Sequence, residues 1–157
     1  MEFLQALADW PVARALRGSS GLYVLANGSH ILGIALTVGA IAALDLRLLG
    51  VAARQPLAAL APLLGAVAAA GVALAVLTGG LLFSVRPAAY AANPAFLAKV
   101  ALVMLGVVNA LALRAGRDWR VALEHGAVTG RVKAQAAASL AIWIAAIFAG
   151  RWIGFVQ

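Results

Sequence analysis

The chain has no cysteine, only five acidic residues and only two histidines in 157 positions. Without cysteine there are no disulfides, zinc–thiolate sites, iron–sulfur clusters or thiol catalysis. Charge of either sign is scarce: Asp, Glu, Lys and Arg make up 11% of the chain, against about 25% in an ordinary soluble domain. A soluble domain could not cover its surface with so few charges. Disorder is excluded too, because it requires low hydrophobicity and 65% of this chain is apolar. The length suits one domain. What remains is an all-α polytopic membrane protein.

The charged residues that are present divide the chain. A spanning helix needs about 20 mostly apolar residues. Uncharged runs fill positions 18–44, 55–85, 100–113 and 134–150. The last two are short unless Lys99 and Arg151 belong to their helices, which long basic side chains permit by snorkelling to the interface. The spans are expected at 21–46, 58–85, 94–114 and 134–155, forming an antiparallel bundle of four transmembrane helices. Asn93 and Pro94 make a strong helix start, one as cap and the other at the first helical position. Pro56 and Pro62 mark the entry to the second span and Pro87 its exit. Residues 1–17, with Phe3, Leu4, Leu7 and Trp10 at helical spacing, read as a short interfacial helix broken by Pro11. The acidic start does not suit a cleavable signal peptide, which needs a basic one.

Basic residues set the expected orientation. Loops one and three carry Arg47, Arg54, Arg114, Arg117, Arg120, Arg131 and Lys133; the other side carries Arg14, Arg17, Arg86, Lys99 and Arg151. The excess places those two loops in the cytoplasm and both termini outside a bacterial inner membrane. Trp10, Tyr23, Tyr90 and Trp152 then form an outer aromatic belt. The basic third loop suits anionic lipid rather than nucleic acid. No glycine-rich phosphate loop is present, and the two histidines fall on opposite sides of the membrane, so no Ser/His/Asp triad can assemble.

Helices in lipid associate through small residues. Ala68, Gly71, Ala75 and Gly79 form such a row on the second span, Gly33, Thr37 and Ala40 on the first, and Ser139, Ala146 and Gly150 on the fourth. These rows predict tight left-handed packing. Asn109, mid-span on the third helix, suits an interhelical hydrogen bond.

Ionisable groups within spans are expensive and are functional candidates by default. His30 lies roughly 13 Å below the outer end of its helix at 1.5 Å per residue. Asn27 or Ser29 is its expected hydrogen-bond partner, and Gly33 leaves room beside the imidazole. Arg86, Lys99 and Arg151 form an expected cationic rim above it, with Tyr90 and Asn93 nearby. Three cations without an acid invite an anion: a lipid headgroup, a carboxylate, or the propionates of haem b. A six-coordinate haem needs a second axial ligand; Met104 is at similar depth but lies about 140° around the helix from Lys99, so one chain offers His30 alone, for a five-coordinate haem or one whose sixth ligand comes from another chain. Asp45 and Arg47 close the first span, and Arg114 is the expected partner of Asp45, because a helix C-terminus disfavours a carboxylate. Glu124 and His125 are expected to be solvated.

Two stretches carry a resemblance. One is His30-Ile-Leu-Gly-Ile-Ala-Leu-Thr-Val-Gly followed by Asp45-Leu-Arg-Leu-Leu-Gly. The other is Thr78-Gly-Gly-Leu-Leu-Phe with Tyr90-Ala-Ala-Asn-Pro-Ala-Phe-Leu-Ala-Lys99 and Asn109. Together they resemble a bacterial four-helix membrane family defined only as a domain of unknown function. The resemblance implies that His30, Asp45, Arg47, Tyr90, Asn93, Lys99 and Asn109 are family features. Members often carry an acid shortly before the histidine, where this chain has Asn27-Gly-Ser. The His-x-x-Gly opening also looks distantly like the copper-resistance D family and small b-type cytochromes. Three functions fit: a haem- or quinone-binding redox subunit with an outward pocket, a non-enzymatic binder or carrier of a small anion or lipid, and a ligand-free accessory subunit. The carrier would need a homo-oligomer, and the accessory subunit a larger complex.

Overall fold

Capping residues set the ends of the long helices. The Ser19 and Thr129 hydroxyls accept from the backbone N–H groups of Leu22 and Val132, and Asn93 Oδ1 accepts from Ala95 and Phe96 at 2.9 and 3.2 Å. At the far end of the first long helix Gly50 adopts φ 107°, a left-handed conformation that glycine takes without strain. The computed structural model describes residues 2–51 and 53–156. Among these the order is α1 (Glu2–Ala8), α2 (Pro11–Gly18), α3 (Ser20–Leu49), α4 (Leu57–Val85), α5 (Pro87–Ala92), α6 (Pro94–Ala115), α7 (Arg117–His125) and α8 (Gly130–Trp152). The four long ones, α3, α4, α6 and α8, are long and apolar enough to cross a membrane.

The expected spans agree with these helices to within a few residues, and the rest of the chain is more helical than expected. The N-terminal segment forms two helices, α1 and α2, instead of one. Pro11 starts α2, and Trp10 before it is extended, as a residue preceding proline should be. Arg17 ties these pieces down by donating to Val85 O at 3.1 Å and to Ala8 O, the last carbonyls of α4 and α1. Pro62 lies in the second turn of α4, within the expected span. Loop three holds α7, whose Trp119 and Ala122 are buried at helical spacing while Arg117 and Arg120 stay exposed.

The small-residue rows of α3 and α4 pack tightly on each other. A Cβ added at Gly33 would fall 2.7 Å from Ala75 N, and one at Gly71 would fall 2.6 Å from Thr37 N, so α3 and α4 cross with backbones touching. The partners run in opposite directions, so the pair is antiparallel. On the other side Gly106 of α6 receives the Trp143 ring of α8, and Asn109 Nδ2 donates to Gln135 O at 3.1 Å. This is the interhelical bond expected of Asn109. Helix α8 also packs on α3, whereas among the described residues the α6 backbone approaches neither α3 nor α4. The four long helices therefore form a ring left open between α4 and α6. The apolar core gathers at the loop end, where Leu48, Leu57, Trp119, Val132 and Ala136 meet.

Candidate functional site

A groove of about 420 Å³ is lined by all four long helices. Its walls are mostly aliphatic: Ile31, Ile34 and Val38 from α3, Val72 and Val76 from α4, Val103 from α6 and Ile147 from α8. The polar members are His30, Thr37, Lys99, Trp143 and Arg151, with no carboxylate among the lining residues. Ile31 and Val76 are 58% and 62% exposed, so the groove opens sideways, through the surface that lipid would cover, and not only at its end.

His30 is fixed by α4. Its Nδ1 lies 2.9 Å from Ala75 O and 3.2 Å from Thr78 Oγ1. Ala75 O can only accept, so Nδ1 carries the proton and Nε2 keeps its lone pair. The Thr78 hydroxyl gives its own proton to Leu74 O at 2.6 Å. Gly79 makes the room, since a Cβ there would stand 3.0 Å from His30 Cε1. From α6, Lys99 Nζ reaches to 3.3 Å from His30 Nε2. Its stem passes over Gly150 of α8, where a Cβ would meet Lys99 Cδ at 3.3 Å. Four helices thus build one imidazole–ammonium pair around two glycines.

Several expectations are corrected. Asn27 is exposed and makes no side-chain hydrogen bond among the described residues, so it is not the partner of His30; α4 supplies that partner instead. The space at Gly33 is filled by the α4 backbone and leaves no room for a ligand. The three cations do not form one rim. Lys99 turns inward, Arg151 borders the same groove with its guanidinium 4.8 Å from the Phe155 ring centre, and Arg86 belongs to a separate vestibule. Asp45 and Arg114 form no ion pair: the one salt bridge among the described residues joins the exposed His125 and Glu124 at 4.0 Å. Arg114 instead lays its guanidinium against Gly65 of α4. Asp45 is 4% exposed, has Ser139 as its side-chain neighbour, and leaves Oδ2 without a hydrogen-bond partner. Arg47 donates from Nε to Gln55 O at 2.7 Å and so closes the α3–α4 connection.

The vestibule is larger, about 1240 Å³, and is lined by Arg17, Tyr23, Arg86, Tyr90 and Asn93 among others. Two of its polar groups are committed to architecture: Arg17 to helix carbonyls, and Asn93 to the C-terminal segment, where Nδ2 donates to Val156 O at 2.6 Å. Tyr90 packs with Phe83 and Phe96 at centroid distances of 6.2 and 5.5 Å. Burial, with Tyr23 beside it, pushes its phenol above the ordinary range. The vestibule keeps Arg86 and the Tyr23–Tyr90 pair; the groove sets an imidazole and an ammonium 3.3 Å apart between aliphatic walls.

Trp143 escaped the sequence reading. It is 5% exposed, lines the groove, and leaves its indole Nε1 unpartnered. The available signal was its position in the middle of a span, away from the interfaces where tryptophan gathers.

A haem does not fit these residues. His30 Nε2 faces an ammonium group, and the second axial candidate, Met104, is 64% exposed and outside the groove. No family model matches the chain, and neither a curated protein nor a solved structure is significantly similar to it.

Proposed function

We propose that this protein is a non-enzymatic binder of a membrane-soluble amphiphile whose polar head accepts hydrogen bonds. The observation that carries this reading is the His30–Lys99 pair at 3.3 Å, set at the polar end of an otherwise aliphatic groove. An ammonium has three donors. Lys99 directs one to His30, and among the described residues no other acceptor engages the rest. A half-buried cation without an anion is costly in an apolar setting, so a head group bearing oxygen or negative charge completes the site. The aliphatic walls suit a hydrocarbon tail.

The lateral opening beside Ile31 and Val76 gives such a molecule a route from the bilayer without passing through water. The excess of basic residues at the loop end supports a cytoplasmic location for that end and an outward location for the His30 end, in a bacterial inner membrane.

Native mass spectrometry of protein purified from its expression membrane tests the reading. One small lipophilic adduct per chain is expected. It should disappear in Val103→Trp, which fills the groove one turn along α6 from Lys99, while the helical circular dichroism is retained. A bare wild-type chain, or an adduct equally abundant in Val103→Trp, would overturn the proposal.

A further inference from the structure

The geometry points to one class of occupant, a single-chain carboxylic acid that gives its proton to His30 on binding. This inference rests on the groove-binding reading above. Nδ1 is committed to Ala75 O, so among the described residues Nε2, which accepts from Lys99 at 3.3 Å, is the imidazole nitrogen left to take a proton in the groove. The charged groups facing it are Lys99 from α6 and Arg151 from α8; α4 contributes only the Thr78 hydroxyl. A lone pair beside cations selects among head groups. A sulfonate or a phosphodiester satisfies Lys99 but turns its oxygens toward the Nε2 lone pair. An alcohol gives Nε2 a donor but leaves the ammonium without a counter-charge. A carboxylic acid supplies both the proton and the anion.

The step balances without a co-reactant. The neutral acid enters from the bilayer, where its ionised form would be costly. Its O–H bond breaks, the proton forms an N–H bond at His30 Nε2, and the electron pair stays on the carboxylate. The carboxylate then accepts from Nε2–H and from Lys99, lying between two cations that would repel each other without it. The volume limits the tail. At about 30 Å³ for a water-sized group, 420 Å³ holds roughly fourteen such groups, room for the head and most of one hexadecyl chain whose end stays in the bilayer.

The test uses the full chain in phosphatidylcholine nanodiscs, carrying His125→Gln so that His30 is the only imidazole. Hexadecanoic acid, hexadecanol and hexadecyl sulfonate are titrated separately. Hexadecanoic acid is expected to bind at one per chain, about tenfold or more tighter than the other two. The ¹⁵N spectrum of His30 should change from one protonated and one bare nitrogen to two protonated nitrogens. His30→Gln should keep the fold and lose the preference for the acid, and Lys99→Met should lose the acid itself. Equal binding of all three probes, or a bare Nε2 in the acid complex, would overturn this inference and leave the groove reading standing. Failure of all three to bind would remove both.

Discussion

Lys99 reaches His30 by passing over Gly150, close enough that a Cβ at position 150 would lie 3.3 Å from Lys99 Cδ and 3.4 Å from Cε. The glycine is therefore part of the site, although it carries no chemistry. Gly150→Leu should force the lysine stem aside and weaken binding of hexadecanoic acid by about tenfold, roughly 1.4 kcal/mol. The thermal midpoint should change little, because position 150 lies near the end of α8. A titration of the variant in nanodiscs measures this; undiminished affinity would separate Gly150 from the site.

Gly71 plays a different part. Its missing Cβ lets α3 lie against α4, with Thr37 N and Gly33 O only 2.6 and 2.8 Å from where that atom would be. Backbone cannot move aside as a flexible side chain can. Gly71→Ala should cost about 1–3 kcal/mol of stability through overpacking, and Gly71→Leu should prevent the pair from forming. Thermal unfolding in detergent, followed by circular dichroism, would register both changes.

Asn93 holds two structures at once. Its Oδ1 caps α6 through Ala95 and Phe96, and its Nδ2 donates to Ile153 O and Val156 O on the C-terminal segment. Asn93→Ala should lose about 1–2 kcal/mol from the cap alone. It should also make the peptide bonds after Trp152 more susceptible to protease. Asn93→Asp, which retains the capping oxygen but not the amide donors, should recover the thermal midpoint and not the protease resistance.

Asp45 is buried beside Ser139 and has no ion-pair partner among the described residues. Asp45→Asn keeps a carbonyl oxygen for the serine and removes the carboxylate. Its thermal midpoint should equal or exceed that of the parent. A loss of about 3–5 kcal/mol, the signature of breaking a buried ion pair, would show that a cation does face this residue.

The long helices were legible because lipid imposes one strong rule: charges must stay out of the spans. The positions of Arg17, Asp45, Arg54, Arg86, Lys99, Arg114, Lys133 and Arg151 bring the boundaries to within about five residues. The Asn93 cap and the small-residue rows were legible for local reasons, through hydrogen-bond chemistry and close packing. The identity of neighbours was not. His30 was given a partner on its own helix, Asn27 or Ser29, whereas its actual partners lie 45 to 69 positions away on α4 and α6. Charge complementarity suggested Asp45 with Arg114, but Gly65 offers the guanidinium a seat on α4. Helix α7 was hidden because a reading guided by basic residues takes Arg117, Arg120 and Arg131 as loop and overlooks Trp119 and Ala122 at helical spacing. One-dimensional periodicity gives the faces of a helix; which face meets which depends on the order around the ring.

The groove is the central claim, and Trp143 reports on it directly. In a Trp10→Phe, Trp152→Phe background the remaining indoles are Trp143, in the groove, and Trp119, in the loop-end core. Dibromostearic acid, whose bromines quench indole fluorescence on contact, is titrated into this protein in phosphatidylcholine nanodiscs. Saturable quenching at one acid per chain, abolished by Lys99→Met, is the predicted result. Quenching that rises linearly with acid in the bilayer and is the same in Lys99→Met would mean that the groove holds only bulk lipid and would contradict the account.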